Sequence, residues 1–254
     1  MKILVCAKQV ADPQGPVAVV GGRIDYGHQP SWRMNYYDAF ALEEALAIGE
    51  THPGVFVDAL SVGPPRVETT VRRALEMGAG RGIHILTGDE GADCPGHVAR
   101  LIAAHAEREC YDLVLCGVMS EDDMNGETGQ LIAGRLGYSC ATAAVVLTMD
   151  DQSGTVRVER QIDAATREVA VLTLPSVVSV QSGINRPRYP SLSHVLRART
   201  QDLVLIRETA APKTDSAVIG FGVPSSSRAG LMIRGTEAEK AEKLAGYLHG
   251  LGVL

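Results

Sequence analysis

Aromatic side chains make up only 4% of the 254 residues, with one tryptophan and three phenylalanines, and the formal net charge is −6. A chain poor in stacking rings and acidic in total lacks the basic surface that grips nucleic acid, so no nucleic-acid partner is expected. Cysteine is sparse and scattered: Cys6, Cys94, Cys110, Cys116 and Cys140 form no CxxC pair, and their number is odd. That pattern argues against a disulfide framework and for free thiols in a reducing compartment, so a cytoplasmic protein is expected. The seven histidines show no HExxH or paired-ligand spacing, and no metal site is expected. The opening apolar run, Lys2 to Ala7, is too short for a signal segment or a membrane span, and no direct membrane insertion is expected.

Catalytic signatures are missing as well. There is no GxxxxGK[ST] phosphate loop, no GxGxxG after the first strand and no GxSxG elbow. The first strand runs into Ala7-Lys8-Gln9, whereas an ATP-using enzyme of this broad architecture would carry a Ser-Gly-Gly turn there. No catalytic residues are assigned, and a binding or carrier protein is expected before a stand-alone enzyme.

What the chain does have is alternation. Apolar runs at 2–7, 55–62, 82–87, 111–116 and 143–148 predict strands, and the stretches near 37–50, 65–78, 95–110 and 126–137 predict helices. In the first of these helices Phe40, Leu42, Ala45, Leu46 and Ile48 form an apolar stripe, while Glu43, Glu44 and Glu50 suit solvent. A β-α-β-α order specifies a Rossmann-like α/β fold: a parallel sheet with helices on both faces, whose ligands bind beyond the carboxyl ends of the strands. Beyond residue 150 the pattern changes. Segments 156–162 and 168–174 predict a β-hairpin, 177–180 another strand, and 192–199 a short helix. Residues 207–235 read as an arm, and 236–249 as a last helix capped by Thr236 with Glu239 three residues on. We divide the chain into an α/β domain with hairpin over 1–200 and a C-terminal arm and helix over 201–254.

Three segments carry candidate chemistry. The loop Gly117-Val118-Met119-Ser120-Glu121-Asp122-Asp123-Met124-Asn125-Gly126-Glu127-Thr128 joins the fourth predicted strand to a helix. Unpaired N–H groups and the helix dipole favour a phosphate there, Gly126 and Gly129 let backbone approach a ligand, and Thr128 adds a hydroxyl donor. Glu121, Asp122 and Asp123 suit capping or ribose hydroxyls better than phosphate. The same spacing also fits a capped surface turn. Asn35, Tyr36, Tyr37 and Asp38 suit the edge of a planar ring, or equally a helix start with Asp38 as cap. Arg186, Arg188, Arg197 and Arg199 surround Leu192 in a Pro-rich loop, which reads either as a docking surface with an apolar anchor or as a solvated loop with Leu192 in the core.

Several of these motifs resemble those of electron-transfer flavoprotein beta subunits. Lys2-Ile-Leu-Val-Cys-Ala-Lys-Gln-Val10, Met34 to Leu46, Val62-Gly-Pro-Pro65 and the Gly117–Gln130 loop are similar to the family's successive motifs. The most specific is Leu174-Pro-Ser-Val-Val178 followed by Asn185-Arg-Pro-Arg-Tyr-Pro-Ser-Leu192. The resemblance runs in order from residue 1 to about 200. It implies a heterodimer whose larger alpha subunit carries FAD, with AMP bound in this subunit by Cys6, Asn35, Tyr36, Tyr37, Asp38, Val62 and Gly117 to Thr128. It also implies a docking loop of Arg188, Tyr189 and Leu192 that meets a flavin dehydrogenase, with a downstream acceptor taking the electrons. Members that bifurcate electrons hold a second FAD in place of AMP. Their loop reads Asp-Gly-Asp-Thr-Ala-Gln-Val-Gly-Pro, and Asp122-Asp-Met-Asn-Gly-Glu-Thr-Gly-Gln130 departs from it. Ala164-Ala165 stands where the family hairpin often has two glycines. A different class, a stand-alone adenine-nucleotide sensor resembling universal stress proteins, would need neither the arginine loop nor the C-terminal arm.

Overall fold

A computed structural model describes residues 1–28, 30–88, 94–150, 152–163, 166–208, 220–223 and 230–253. Its elements are β1 (Lys2–Cys6), β2 (Gln9–Ala11), β3 (Ala18–Val20), β4 (Arg23–Asp25), β5 (Trp32–Met34), α1 (Tyr36–Thr51), β6 (Phe56–Gly63), α2 (Glu68–Met77), β7 (Arg81–Leu86), α3 (Pro95–Glu109) and β8 (Leu113–Gly117). They continue with α4 (Thr128–Leu136), β9 (Ser139–Asp150), β10 (Thr155–Gln161), β11 (Arg167–Thr173), β12 (Ser176–Val180), α5 (Leu192–Thr200), β13 (Val204–Arg207) and α6 (Glu237–Gly250).

One nine-stranded sheet runs β11-β10-β9-β12-β8-β1-β6-β7-β13. All neighbours pair in parallel from β9 to β13, and only the hairpin β10–β11 adds antiparallel ladders. The expected Rossmann-like α/β class is what the chain forms.

The central strands are apolar on both faces because helices cover both. Successive β1 side chains divide between two cores. Ile3 and Val5 join α1 and α2 residues such as Leu42, Ala45 and Leu75. Leu4 and Cys6 join α3 and α4 residues such as Ile102 and Ile132. Each fully buried Leu or Ile here contributes about 2 kcal/mol. Gly137 in the left-handed conformation ends α4.

Several details differ from the expectations. The predicted helix over 65–78 is a short 3-10 turn, Pro65–Val67, followed by α2. Two small antiparallel pairs, β2–β5 and β3–β4, were not anticipated. β13, just past the expected division at 200, pairs with β7 as an edge of the main sheet. The last helix has the expected capping box between Thr236 and Glu239, and none of its residues is buried. Ala164-Ala165 and much of the expected arm, including Pro212 and Pro224–Ser227, lie outside the described residues.

Candidate nucleotide site and docking surface

The strand order reverses between β1 and β8. From β1 the chain builds outward through β6 and β7, and from β8 through β12 on the other side. Strand ends splay at such a switch point, leaving a crevice. A cavity of about 710 Å³, counted with its open mouth, lies there. Its walls come from the β1 end (Cys6, Ala7, Lys8), the β6 end (Leu60, Ser61, Val62), α3 (Pro95, Val98, Ile102) and the loop from Gly117 to Gly129.

Asp38 ties this end of the molecule together. It lies in the first turn of α1 and is buried, not a cap as one sequence reading had it. Its carboxylate accepts from Lys8 N at 2.7 Å and from Gly117 N at 2.8 Å. One side chain therefore holds the ends of β1 and β8 in register with α1. Burial pushes its carboxyl up to about 6, against the lowering effect of the two N–H donors. The thiols of Cys6 and Cys116 are pushed up by burial, and both groups are inert at neutral pH.

The loop folds back over α1. The side-chain amide of Asn35 donates to Met119 O at 2.9 Å and accepts from Glu121 N at 3.1 Å. Both ends of that amide are thus engaged by loop backbone. Glu121 does not cap α4. Its carboxylate accepts from Tyr36 N at 2.8 Å and pairs with Arg33 at 2.9 Å, so it caps α1. Asp122 and Asp123 bind the Lys8 ammonium, and Asp123 also accepts from Ser120 Oγ and from Asn125 N at 2.9 Å. Among the described residues the N-cap residue of α4, Glu127, makes no side-chain capping bond, although its own N–H donates to Asn125 Oδ1 at 2.9 Å, and the first helical residues Thr128 and Gly129 line the cavity.

Of the residues singled out in the sequence, Cys6, Asn35, Asp38, Val62, Gly117, Met119, Ser120, Asp123, Asn125, Gly126 and Thr128 meet around the cavity. Tyr36, Tyr37, Val118, Glu121, Asp122, Met124 and Glu127 do not line it. The tyrosine rings pack edge to face at 5.5 Å, and Tyr36 is exposed. Met124 and Glu127 face solvent. The sequence reading missed Lys8, Leu60, Ser61, Pro95, Val98 and Ile102. The position of Lys8 just past a strand's carboxyl end was the available signal.

A second surface surrounds α5. Leu192 begins this helix and is 75% exposed, with Leu196 one turn on at 54% and Tyr189 at 93%. The alternative of Leu192 in the core does not hold. Two of the four arginines are engaged internally. Arg188 pairs with Glu43 at 2.8 Å and Glu50 at 2.5 Å on α1, and Arg197 donates to the Leu75 and Ala79 carbonyls. Asn185 donates to Glu44 at 2.9 Å. The acids expected to face only solvent thus staple the loop to α1, the helix that carries Asp38.

Comparison with known proteins gives a consistent result. The family described as "Electron transfer flavoprotein domain" matches residues 27–211. "Electron transfer flavoprotein subunit beta" of Homo sapiens is 34% identical over 245 residues, covering 93% of this chain and 94% of that protein. "Electron transfer flavoprotein subunit beta, mitochondrial" of Arabidopsis thaliana is 30% identical over 253 residues, covering 98% and 99%. The Bacillus subtilis subunit beta is 29% identical over 259 residues, covering 98% and 97%.

Proposed function

The chain belongs to the electron transfer flavoprotein family as a beta subunit, a component of an electron carrier, and on that premise we propose that its cavity holds AMP while a larger alpha subunit carries FAD. The observation that carries the nucleotide reading is the cavity at the β1/β8 switch point with the N-terminus of α4 in its wall. Leu60, Val62, Val98 and Ile102 offer apolar walls to a flat base, and Thr128 with the α4 N-terminus offers donors to a phosphate. The FAD of the partner supplies the one- and two-electron chemistry. This chain's residues hold the nucleotide, support the partner and present a docking face.

The uncovered apolar side chains favour such a partner. Leu244 and Tyr247 of α6 and the nearby Leu231 and Met232 are all exposed, more than a free surface helix needs. We assign them to the alpha subunit. Leu192, Leu196 and Tyr189 form the face for a flavin dehydrogenase, which hands electrons on to a downstream acceptor. The five free thiols support a reducing compartment such as the cytoplasm. Among the described residues no helix is long and apolar enough to cross a membrane.

Chromatography of nucleotides released from the denatured heterodimer tests the cavity. One AMP and one FAD per heterodimer are expected. Two FAD and no AMP would replace this reading with the bifurcating one, and absence of any nucleotide besides one FAD would remove the site. The docking face is tested by Leu192→Ala. Truncating a central apolar anchor is expected to lower electron transfer from the cognate dehydrogenase by roughly tenfold or more. Nucleotide content should stay unchanged. An unaltered rate and affinity would remove Leu192 from the docking role.

A further inference from the structure

The charges around the cavity are oddly arranged for a phosphate site. Among the described residues Lys8 is the one cationic side chain in its wall. Its ammonium is already engaged, by Asp122 at 2.8 Å, Asp123 at 3.3 Å and Ser120 Oγ at 3.4 Å. Burial by itself would lower the Lys8 pKa, and the bonds to Asp122 and Asp123 outweigh it and hold the ammonium firmly charged. Asp123 is likewise pushed up by burial, yet held below the usual carboxylate range by donors from Ser120, Asn125 and Lys8. Asp38, the other acid of the wall, is buried. Glu121 is a separate case, since Arg33 neutralises it.

Asp38 and Asp123 in the wall, with Asp122 just outside it on the same ammonium, set three carboxylates against one cation. An arriving phosphate must attract Lys8 away from Asp122 and Asp123, or share it with them. Each further phosphate adds negative charge beside the same acids and finds no further cation in the described wall. We propose that Lys8, Asp122 and Asp123 form a charge latch that sets how much anionic charge the site accepts. Lys8 is its attractive element for one phosphate, and the two aspartates are specificity-determining residues that disfavour di- and triphosphates. The inference rests on the reading of this cavity as an adenine-nucleotide site.

The test uses the nucleotide-free heterodimer, titrated calorimetrically with adenosine, AMP, ADP and ATP. In the unmodified protein AMP is expected to bind best, with ADP and ATP successively weaker. Asp122→Asn removes one acid and leaves the Asp123 bonds to Ser120 and Asn125 in place. It should raise ATP affinity roughly threefold to tenfold, AMP affinity less, and adenosine affinity not at all. Lys8→Met keeps the backbone bonds of residue 8 to Asp38 and Asn35. It should lower AMP affinity roughly tenfold and again leave adenosine unchanged. Unchanged adenosine binding also reports a folded cavity.

Equal binding of all four ligands to the unmodified protein overturns the latch and leaves the nucleotide site intact. So does an ATP-to-adenosine affinity ratio that Asp122→Asn does not move, or a Lys8→Met loss shared by adenosine. Binding of none of the four overturns the nucleotide reading itself, and the latch with it.

Discussion

Replacing Asp38 with alanine is expected to cost about 2 kcal/mol of folding stability at pH 7, with loss of nucleotide from the heterodimer. The wild-type carboxylate accepts from two backbone donors, Lys8 N and Gly117 N, at the inner end of the cavity. Alanine leaves both N–H groups without that acceptor, and each buried orphan costs about 1–3 kcal/mol. Removal of a buried charge offsets part of this. The offset gives the prediction a pH signature. Burial raises the Asp38 carboxyl from 3.8 to about 6, with Lys8 the nearest cation and the Cys6 and Cys116 thiols nearby. An acid with a raised folded-state value contributes stability that is fully present below 3.8 and is lost as pH rises through about 6. The gap between wild type and variant should therefore widen as pH falls, by about 1 kcal/mol between pH 7.5 and pH 5. Urea unfolding of both proteins at the two pH values measures it. A gap that narrows toward pH 5 would show that the carboxylate is stabilised there by its donors more than it is strained by burial.

The behaviour of Asp38 also marks how far the sequence can be read. The alternation of apolar runs locates β1, β6, β7 and β8 because each is long enough to show its burial and is flanked by an amphipathic helix. β3 and β4 have only three residues each, with exposed outer positions, so no period of two can develop. β13 fails for a related reason: as an edge strand it has no fully buried position, and its four residues blend into the arm. Asp38 reads as a cap because an acid at a helix start usually is one. Its burial depends on β8 reaching back beside β1, a contact between positions 79 apart in sequence. Lys8 is similar. Nothing local links it to Asp122 or Asp123, which reach it only because Asn35 and Glu121 fasten the loop to the start of α1. Glu43 and Glu44 show the converse. Their helical phase puts them off the α1 core stripe, which is correct, but the loop at 185–188 covers that side. Residues that hold a distant loop carry the same local pattern as residues that face water.

Gly117→Ala is expected to be the most damaging single methyl in the cavity region. A Cβ on Gly117 would sit 2.5 Å from Asp38 Oδ1, 2.5 Å from Tyr37 Cβ and 2.8 Å from the Tyr37 carbonyl carbon. Two of these contacts belong to the backbone or its first side-chain carbon, so no flexible tip can give way. Relief requires α1 to move off β8, which would break the Gly117–Asp38 bond and disturb the Lys8–Asp38 bond beside it. The combined cost is about 3 kcal/mol, at the upper end for a small overpacking change. Gly134→Ala is the matched control. This residue lies in α4, exposed, and a Cβ there meets nothing within 4 Å. Alanine in place of a helical glycine should stabilise by about 1 kcal/mol. Thermal unfolding of the two variants should therefore shift in opposite directions, and only Gly117→Ala should lose nucleotide. Retention of both nucleotide and midpoint by Gly117→Ala would mean that β8 and α1 can separate without cost, and that the tight seam between them does not shape the site.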